Sequence, residues 1–451
     1  MKDRILLLLE ERNFSALKPV ISEMNEVDIA DFLEEIAPDD RLRVFRILPK
    51  SLAAATFVEL DRDTKEALIR SLTDSELKSV IDEMFLDDTV DLIEEMPANV
   101  VKRLLKQSDK ETRNIINEIL KYPKDSAGSI MTTEFIRFRE DMTVREAFRK
   151  IRELAIDSET IYTCYVTDRS KRLLGYVTAK TLMLAGREQT IGEIMDTNVI
   201  YAVTTDNRET VARRMTDYGF LAMPVVDGEA QLVGIVTVDD AIDVLTEETT
   251  EDIARMAAIA PSDKTYLKTS PLELFKNRIP WLLILLVSAT FTGLIINAYE
   301  ARLTAISAVL FACVPMLMDT GGNCGSQASV TVIRALSLGE LEAKDIWRVL
   351  LKEIGAAMLL GVTLAAACFL KLILIDNLLF GFDGYTPMRC LVVSAALFFT
   401  VVIAKIVGCS LPILAKAVRL DPAVVASPFI TTVVDALSLI IYCSIAVAVL
   451  A

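Results

Sequence analysis

Apolar residues recur every 12 positions near the amino terminus: Ile36, Leu48, Leu60, Leu72, Met84 and Met96 form one series, and Leu33, Phe45, Phe57, Ile69, Ile81 and Ile93 sit three positions before them. A turn or cap signal follows each member of the first series: Pro38-Asp39, Pro49, Asp61, Thr73-Asp74, Asp87 and Pro97. One short amphipathic helix per unit fits this period, and stacked helix pairs predict an all-α superhelical domain over residues 1–123. Over residues 124–246 the pattern becomes strand and helix in alternation, duplicated. The copies open at Asp125–Thr132 and Thr190–Asp196. Each continues with a helix (Thr143–Leu154; Arg208–Tyr218), an apolar strand (Ile161–Thr167; Ala222–Val226) and a second strand ending at Gly175–Thr178 or Gly234–Thr237. A connecting stretch, residues 247–270, contains a predicted helix, Glu247–Lys264.

Residues 271–451 hold five apolar segments: Ile279–Asn297, Leu303–Leu336 with a polar interruption, Ile354–Ile375, Cys390–Leu411 and Val424–Leu450. Each is close to the roughly 20 residues that cross a bilayer, which predicts a five-helix transmembrane domain. Bases cluster before the first segment (Lys268, Lys276, Arg278), between the second and third (Arg334, Lys344, Arg348, Lys352) and between the fourth and fifth (Lys416, Arg419). The other connections carry Arg302 and Arg389 only. The positive-inside rule then puts the amino-terminal part in the cytoplasm and the carboxyl terminus outside, as in a multi-pass protein of the plasma (inner) membrane. The opening MKDRILLLLEERNF has too short an apolar run for a secretory signal.

Charge divides the chain in the same place. Residues 1–270 hold 52 of the 63 acids and 36 of the 48 bases, a net charge of −16 against +1 for the remainder. That balance disfavours nucleic acid as a partner and favours cations. Two acidic runs stand out, Asp82–Glu95 and Asp239–Asp252, each with seven acids in fourteen residues and no base. A single run reads as a solvated face, but two facing runs repel unless cations lie between them. Magnesium accepts carboxylate oxygens while keeping several waters, so Asp87, Asp88, Asp91, Glu94, Glu95, Asp239, Asp243, Glu247, Glu248, Glu251 and Asp252 are the candidate regulatory ligands. There is no histidine, no CxxC and no P-loop, and six of the seven cysteines lie in or beside the apolar spans. Zinc sites, disulfides and enzymatic hydrolysis are therefore not expected.

Asp435 is the one charge in the last apolar segment. An ionised carboxylate at the bilayer centre costs about 2.5–3.5 kcal/mol on insertion scales, so it is retained where it meets a partner, water or a permeating ion. The second segment is interrupted by Pro315–Gln327, small and polar. Irregular backbone at that depth is tolerated only inside protein or along a wet cavity. Small glycines also allow close helix packing, whereas Asn323 and Gln327, one turn apart, suggest a polar lining. Asp319 could join that lining, lie at its mouth or pair with Arg302 or Arg389, and Lys405 could snorkel or pair with an acid.

The duplicated segment resembles a pair of cystathionine-β-synthase (CBS) modules. The second copy keeps the G-x-x-T-x-x-D ending as Gly234, Thr237 and Asp240, which in such modules holds a ribose and phosphate; ATP is the implied ligand. The first copy has Gly175, Thr178 and Thr181, without the acid. The GGNCGSQ stretch at Gly321–Gln327 and Pro428–Asp435 of the last segment resemble the MgtE family of magnesium channels, as does the whole order of segments. The resemblance implies a homodimer in the lipid bilayer with a pore built from the second and fifth spans. Asp435 would be the principal ion-selecting residue, with Pro428, Thr431, Thr432, Asn323 and Gln327 around it. It further implies that magnesium bound by the acidic domain presses the connecting, or plug, helix into a closed arrangement. The same oxygen chemistry also suits manganese, cobalt, nickel and calcium. A CBS-regulated anion channel would favour bases at its ion site, which Asp435 opposes.

Overall fold

The computed structural model describes residues 2–155, 158–262, 266–418, 420–424 and 427–450. Lys264, Arg419 and Ala451 lie outside them. The chain forms two compact units, Met1–Thr246 and Glu247–Ala451.

In the first unit, successive helices open at residues 26, 38, 50, 62, 74, 86, 98 and 110, so the 12-residue period is the repeat of the fold. Leu33, Phe45, Phe57, Ile69, Ile81 and Ile93 are buried helical residues. Ile36, Leu48, Leu60, Leu72 and Met96 instead occupy C-cap positions in extended backbone, and an apolar side chain there closes one helix against its neighbours. Asp61 caps Arg62–Ser71, and Thr73 with Glu76 forms a capping box on Asp74–Ile81. Asp87 departs from its expected role as a turn signal. It lies inside the helix Leu86–Glu95 and is buried, while the Leu86 N–H donates to Glu134 Oε2 at 2.9 Å.

The duplicated part forms two three-stranded sheets. In the first, β1 (Phe135–Arg139) pairs parallel with β2 (Thr160–Thr167), which pairs antiparallel with β3 (Leu173–Thr178). In the second, β4 (Ala202–Val203), β5 (Ala222–Val226) and β6 (Leu232–Thr237) repeat that arrangement. Helices Val144–Leu154 and Arg208–Tyr218 match the sequence expectation, with Thr143 as N-cap of the first. The copies are joined by the hairpin bridge Arg172–Gln231 and by Tyr165 O–H donating to the Ala222 carbonyl at 3.0 Å. A long helix, Val238–Met256, follows β6 directly.

The second unit is helical. Pro271–Ile306, Ala343–Leu379, Pro387–Ala417 and Ser427–Leu450 are the four helical stretches, among the described residues, long and apolar enough to cross a membrane. Side chains such as Leu286, Val287 and Phe291 are exposed along the first, a surface suited to lipid. The expected second span is not one interrupted segment. Pro271–Ile306 ends at Ser307, a short helix spans Ala308–Ala312, and Val314–Ser337 then runs as one helix through the whole GGNCGSQ stretch. Its polar and glycine positions keep it out of the apolar set, yet they do not break it, because it packs along both Pro387–Ala417 and Ser427–Leu450.

Candidate functional site

Glycine determines the geometry around Asp435. A Cβ placed on Gly322 would lie 2.7 Å from Thr431 Cγ2 and 3.5 Å from Asp435 Oδ1, and one on Gly321 would lie 2.8 Å from Ser438 Oγ. The glycine helix therefore meets the last helix by backbone, and Asp435 is seated at that seam. Hydroxyls continue along it: Ser427 Oγ donates to Ser326 Oγ at 2.7 Å, and the Ser326 and Thr431 hydroxyls are 3.2 Å apart. Thr431 and Thr432 also donate to the carbonyls of Ser427 and Pro428. Asp435 Oδ1 is buried without a hydrogen-bond partner. Asn323 and Gln327 are exposed on the opposite side of their helix, so within one chain they do not touch Asp435. Asp319 is exposed and lies within electrostatic reach of Asp435. Arg389 does not pair with it, donating instead to the Gly384 and Ile306 carbonyls.

Lys405 is buried and its Nζ lies 3.5 Å from Glu353 Oε2 on the neighbouring helix. Asp376, buried in a π-helical turn, accepts from Lys371 at 2.6 Å. These membrane-unit acids have bases beside them; Asp435 has another acid.

In the first unit, the two acidic runs meet. Asp88 and Asp91 lie near enough to Asp240 for its charge to add to burial in raising both, and the Asp243 charge adds to burial in raising Glu59. Burial, then the neighbouring Asp88 charge, pushes Asp87 up to about 7. Burial and Asp87 push Asp240 up to about 7, and burial and Asp240 push Asp88 up to about 6. Burial, then the Asp240 charge, pushes Asp91 up to about 8. Two acids outside either run complete the cluster. One carboxylate oxygen from each of Asp87, Glu134 and Glu159 lies within 4.8 Å of the other two. Glu159 Oε2 is buried without a hydrogen-bond partner, and burial together with Asp87 pushes Glu159 up to about 8. Three converging carboxylates with an unbonded oxygen suit a hard divalent cation.

The remaining candidates divide. Asp239 stands beside Asp240 and Asp243. Glu94 is 3.5 Å from Lys124 Nζ, and Glu95 lies within reach of Asp91. Glu247, Glu248, Glu251 and Asp252 belong to the second unit, where Glu251 pairs with Arg255 and Arg255 with Asp421, just before the last helix. In the nucleotide register, Thr237 Oγ1 donates to Asp240 Oδ2 at 2.6 Å. Gly234 leaves room for Met131, whose Sδ would lie 2.7 Å from an added Cβ. Asp240 is thus shared between that register and the acid cluster.

Comparison with known proteins fixes the class. Residues 314–445 match the family of divalent cation transporters, residues 24–125 the MgtE intracellular N domain, and residues 127–188 and 191–247 the CBS domain. The magnesium transporter MgtE of Thermus thermophilus is 37% identical over 97% of this chain and 96% of its own length. That of Bacillus subtilis is 32% identical over 99% and 96%. The crystal structure of the cytosolic domain of the Mg2+ channel MgtE in complex with ATP superposes with a TM-score of 0.52 and 36% identity, covering 54% of this chain and all of that one. This chain belongs to the MgtE family, and so to the membrane transporters rather than the enzymes.

Proposed function

We propose that the protein is a magnesium channel in the inner membrane that admits Mg2+ passively and closes when cytosolic Mg2+ fills its acidic unit. The observation that carries this reading is Asp435, an acid with an unbonded buried oxygen at a seam of glycine and hydroxyl groups. In a homodimer, two copies of Asp435 around a two-fold axis attract a hydrated divalent ion without stripping its shell. Asn323 and Gln327, exposed on the monomer, then have a second subunit to face. Val314–Ser337 serves as the second of five transmembrane helices, polar because it lines the pore, with the amino terminus in the cytoplasm and the carboxyl terminus outside.

Control follows from charge. When cytosolic magnesium is scarce, Asp87, Asp88, Asp91 and Asp240 repel, the unit loosens and the connecting helix withdraws. When magnesium returns, the acids draw together and the helix is pressed toward closure through the Arg255–Asp421 pair. The ATP-bound relative supports nucleotide binding at the CBS pair as a further input. Carboxylate oxygens also admit cobalt, manganese and nickel as competing ions.

Mg2+ flux into liposomes containing the purified protein tests the reading. Asp435→Ala is expected to abolish flux, and excess Co2+, Mn2+ or Ni2+ to compete weakly with Mg2+ in the wild type. Unchanged flux in Asp435→Ala would remove the basis of the proposal.

A further inference from the structure

The first unit is strongly acidic, yet one cavity in it is basic. About 290 Å3 in volume, it is lined by Arg137, Arg139, Lys150, Arg169 and Lys171, with Phe138, Thr167 and Asp168. Asp168 is occupied by its own turn, accepting from the Ser170 and Arg172 N–H groups. Arg139 pairs with Asp141. Arg137, Arg169 and Lys171 have no ion-pair partner among the described residues.

The internal repeat shows which of these bases the fold requires. Strand registers equate Arg137 with Tyr201, Arg139 with Val203, Arg169 with Gly228 and Lys171 with Ala230. Counting from the helix N-caps Thr143 and Asn207 equates Lys150 with Arg214. Lys150 Nζ donates to the Arg137 carbonyl at 2.7 Å, and Arg214 donates to the equivalent Tyr201 carbonyl at 3.1 Å. The helix-to-strand tie is therefore common to both copies, whereas the other four bases occur only in the first. Gathering them opposes folding by like-charge repulsion, and Lys150 is already lowered by burial and then by Arg137 and Arg139.

We propose that this cavity binds a small soluble phosphate-bearing anion. Arg guanidinium forks and Lys ammonium groups are the side chains that recognise phosphate oxygens. The volume is at the lower end of the roughly 300–1,000 Å3 of ligand pockets, which suits a phosphate or pyrophosphate group better than a whole nucleotide. None of the lining residues belongs to the Gly234, Thr237 and Asp240 register. The bound anion would also touch the contact between the copies, since the Leu232 N–H donates to the Lys171 carbonyl.

Calorimetric titration of the full-length protein in detergent with inorganic pyrophosphate, in magnesium-free buffer, tests this. Saturable binding is expected, weakened at least about tenfold in Arg169→Ala/Lys171→Ala, a pair of exposed hairpin residues whose loss leaves the fold intact by thermal melting. Lys180→Ala, in the separate cavity around Thr178 and Thr181, is expected to bind as the wild type does. Glycerophosphoglycerol, the water-soluble headgroup of an anionic lipid, is expected to bind at least about tenfold more weakly than pyrophosphate. Absence of saturable binding, equal binding by the hairpin variant, or tighter binding of the headgroup would each overturn the proposal.

Discussion

Asp87 and Asp435 both hold carboxylate oxygens away from water on a helix, but their neighbourhoods differ in what sets how an acid meets a cation. Around Asp87 stand Asp88, Asp91, Asp240, Glu134 and Glu159, all competing for protons or cations. Around Asp435 stand glycine backbone, hydroxyls and a single further acid, Asp319. A crowded cluster binds cations firmly because its alternative is mutual repulsion or protonation. A sparse site attracts an ion and releases it, as conduction requires. On the proposed reading, one chain separates holding from passing by the number of carboxylates it gathers.

The comparison breaks most severely where packing holds the sparse site. Gly322→Leu is expected to drive the two helices apart, costing about 3 kcal/mol of stability and all flux. Gly293→Leu, with nothing within 4 Å of its Cβ position, should leave melting temperature and gel-filtration profile unchanged. Lys405→Met sharpens the contrast between a paired and an unpaired membrane acid. Leaving Glu353 buried without its base should also destabilise the protein by about 3 kcal/mol, largely restored by adding Glu353→Gln.

For the crowded cluster, the effect is one of pH. Asp87 and Asp240 are raised to about 7 and Glu159 to about 8, so the folded unit holds protons that the unfolded chain, with carboxyls near 4, has released. The resulting stability is fully present below about pH 4 and is lost as pH rises through about 7 to 8. In EDTA, denaturant melts should show a loss on the order of 2 kcal/mol between about pH 5 and pH 8.5, recovered by millimolar Mg2+ and reduced in Asp87→Asn. The smallest change belongs to the partly exposed Arg255–Asp421 pair. Arg255→Ala should raise the Mg2+ concentration needed for closure only about twofold to threefold in a flux assay.

Much of this was legible in the sequence, for identifiable reasons. The 12-residue series marked the helical repeat because a stacked fold buries the same position in every unit. The two acidic runs marked one side of the crowded cluster because local density survives in one dimension. Glu134 and Glu159 belong to neither run: they stand just before β1 and β2, whose pairing brings them to each other, and the Leu86 N–H bond to Glu134 brings the pair to the helix of Asp87. Polar and small residues weaken a helix in isolation, so the glycine stretch reads in sequence as an interruption. Its packing against two neighbours outweighs that preference, and the actual breaks fall at Ser307 and at Cys313, the second signalled by Pro315 in the first turn of the helix that follows. Lys405 was ambiguous until the neighbouring helix supplied Glu353.

The division between holding and passing is tested most directly by Mg2+ flux in liposomes, with Mg2+ varied on the side of the amino-terminal unit. Wild type, Asp435→Ala and the triple variant Asp87→Asn/Asp91→Asn/Asp240→Asn would be compared in one assay. The account predicts no flux through Asp435→Ala at any concentration. It predicts wild-type flux through the triple variant, with at least about tenfold more Mg2+ needed to shut it. Closure of the triple variant at the wild-type concentration, or loss of its flux with its fold intact, would contradict the assignment of sensing to one site and conduction to the other.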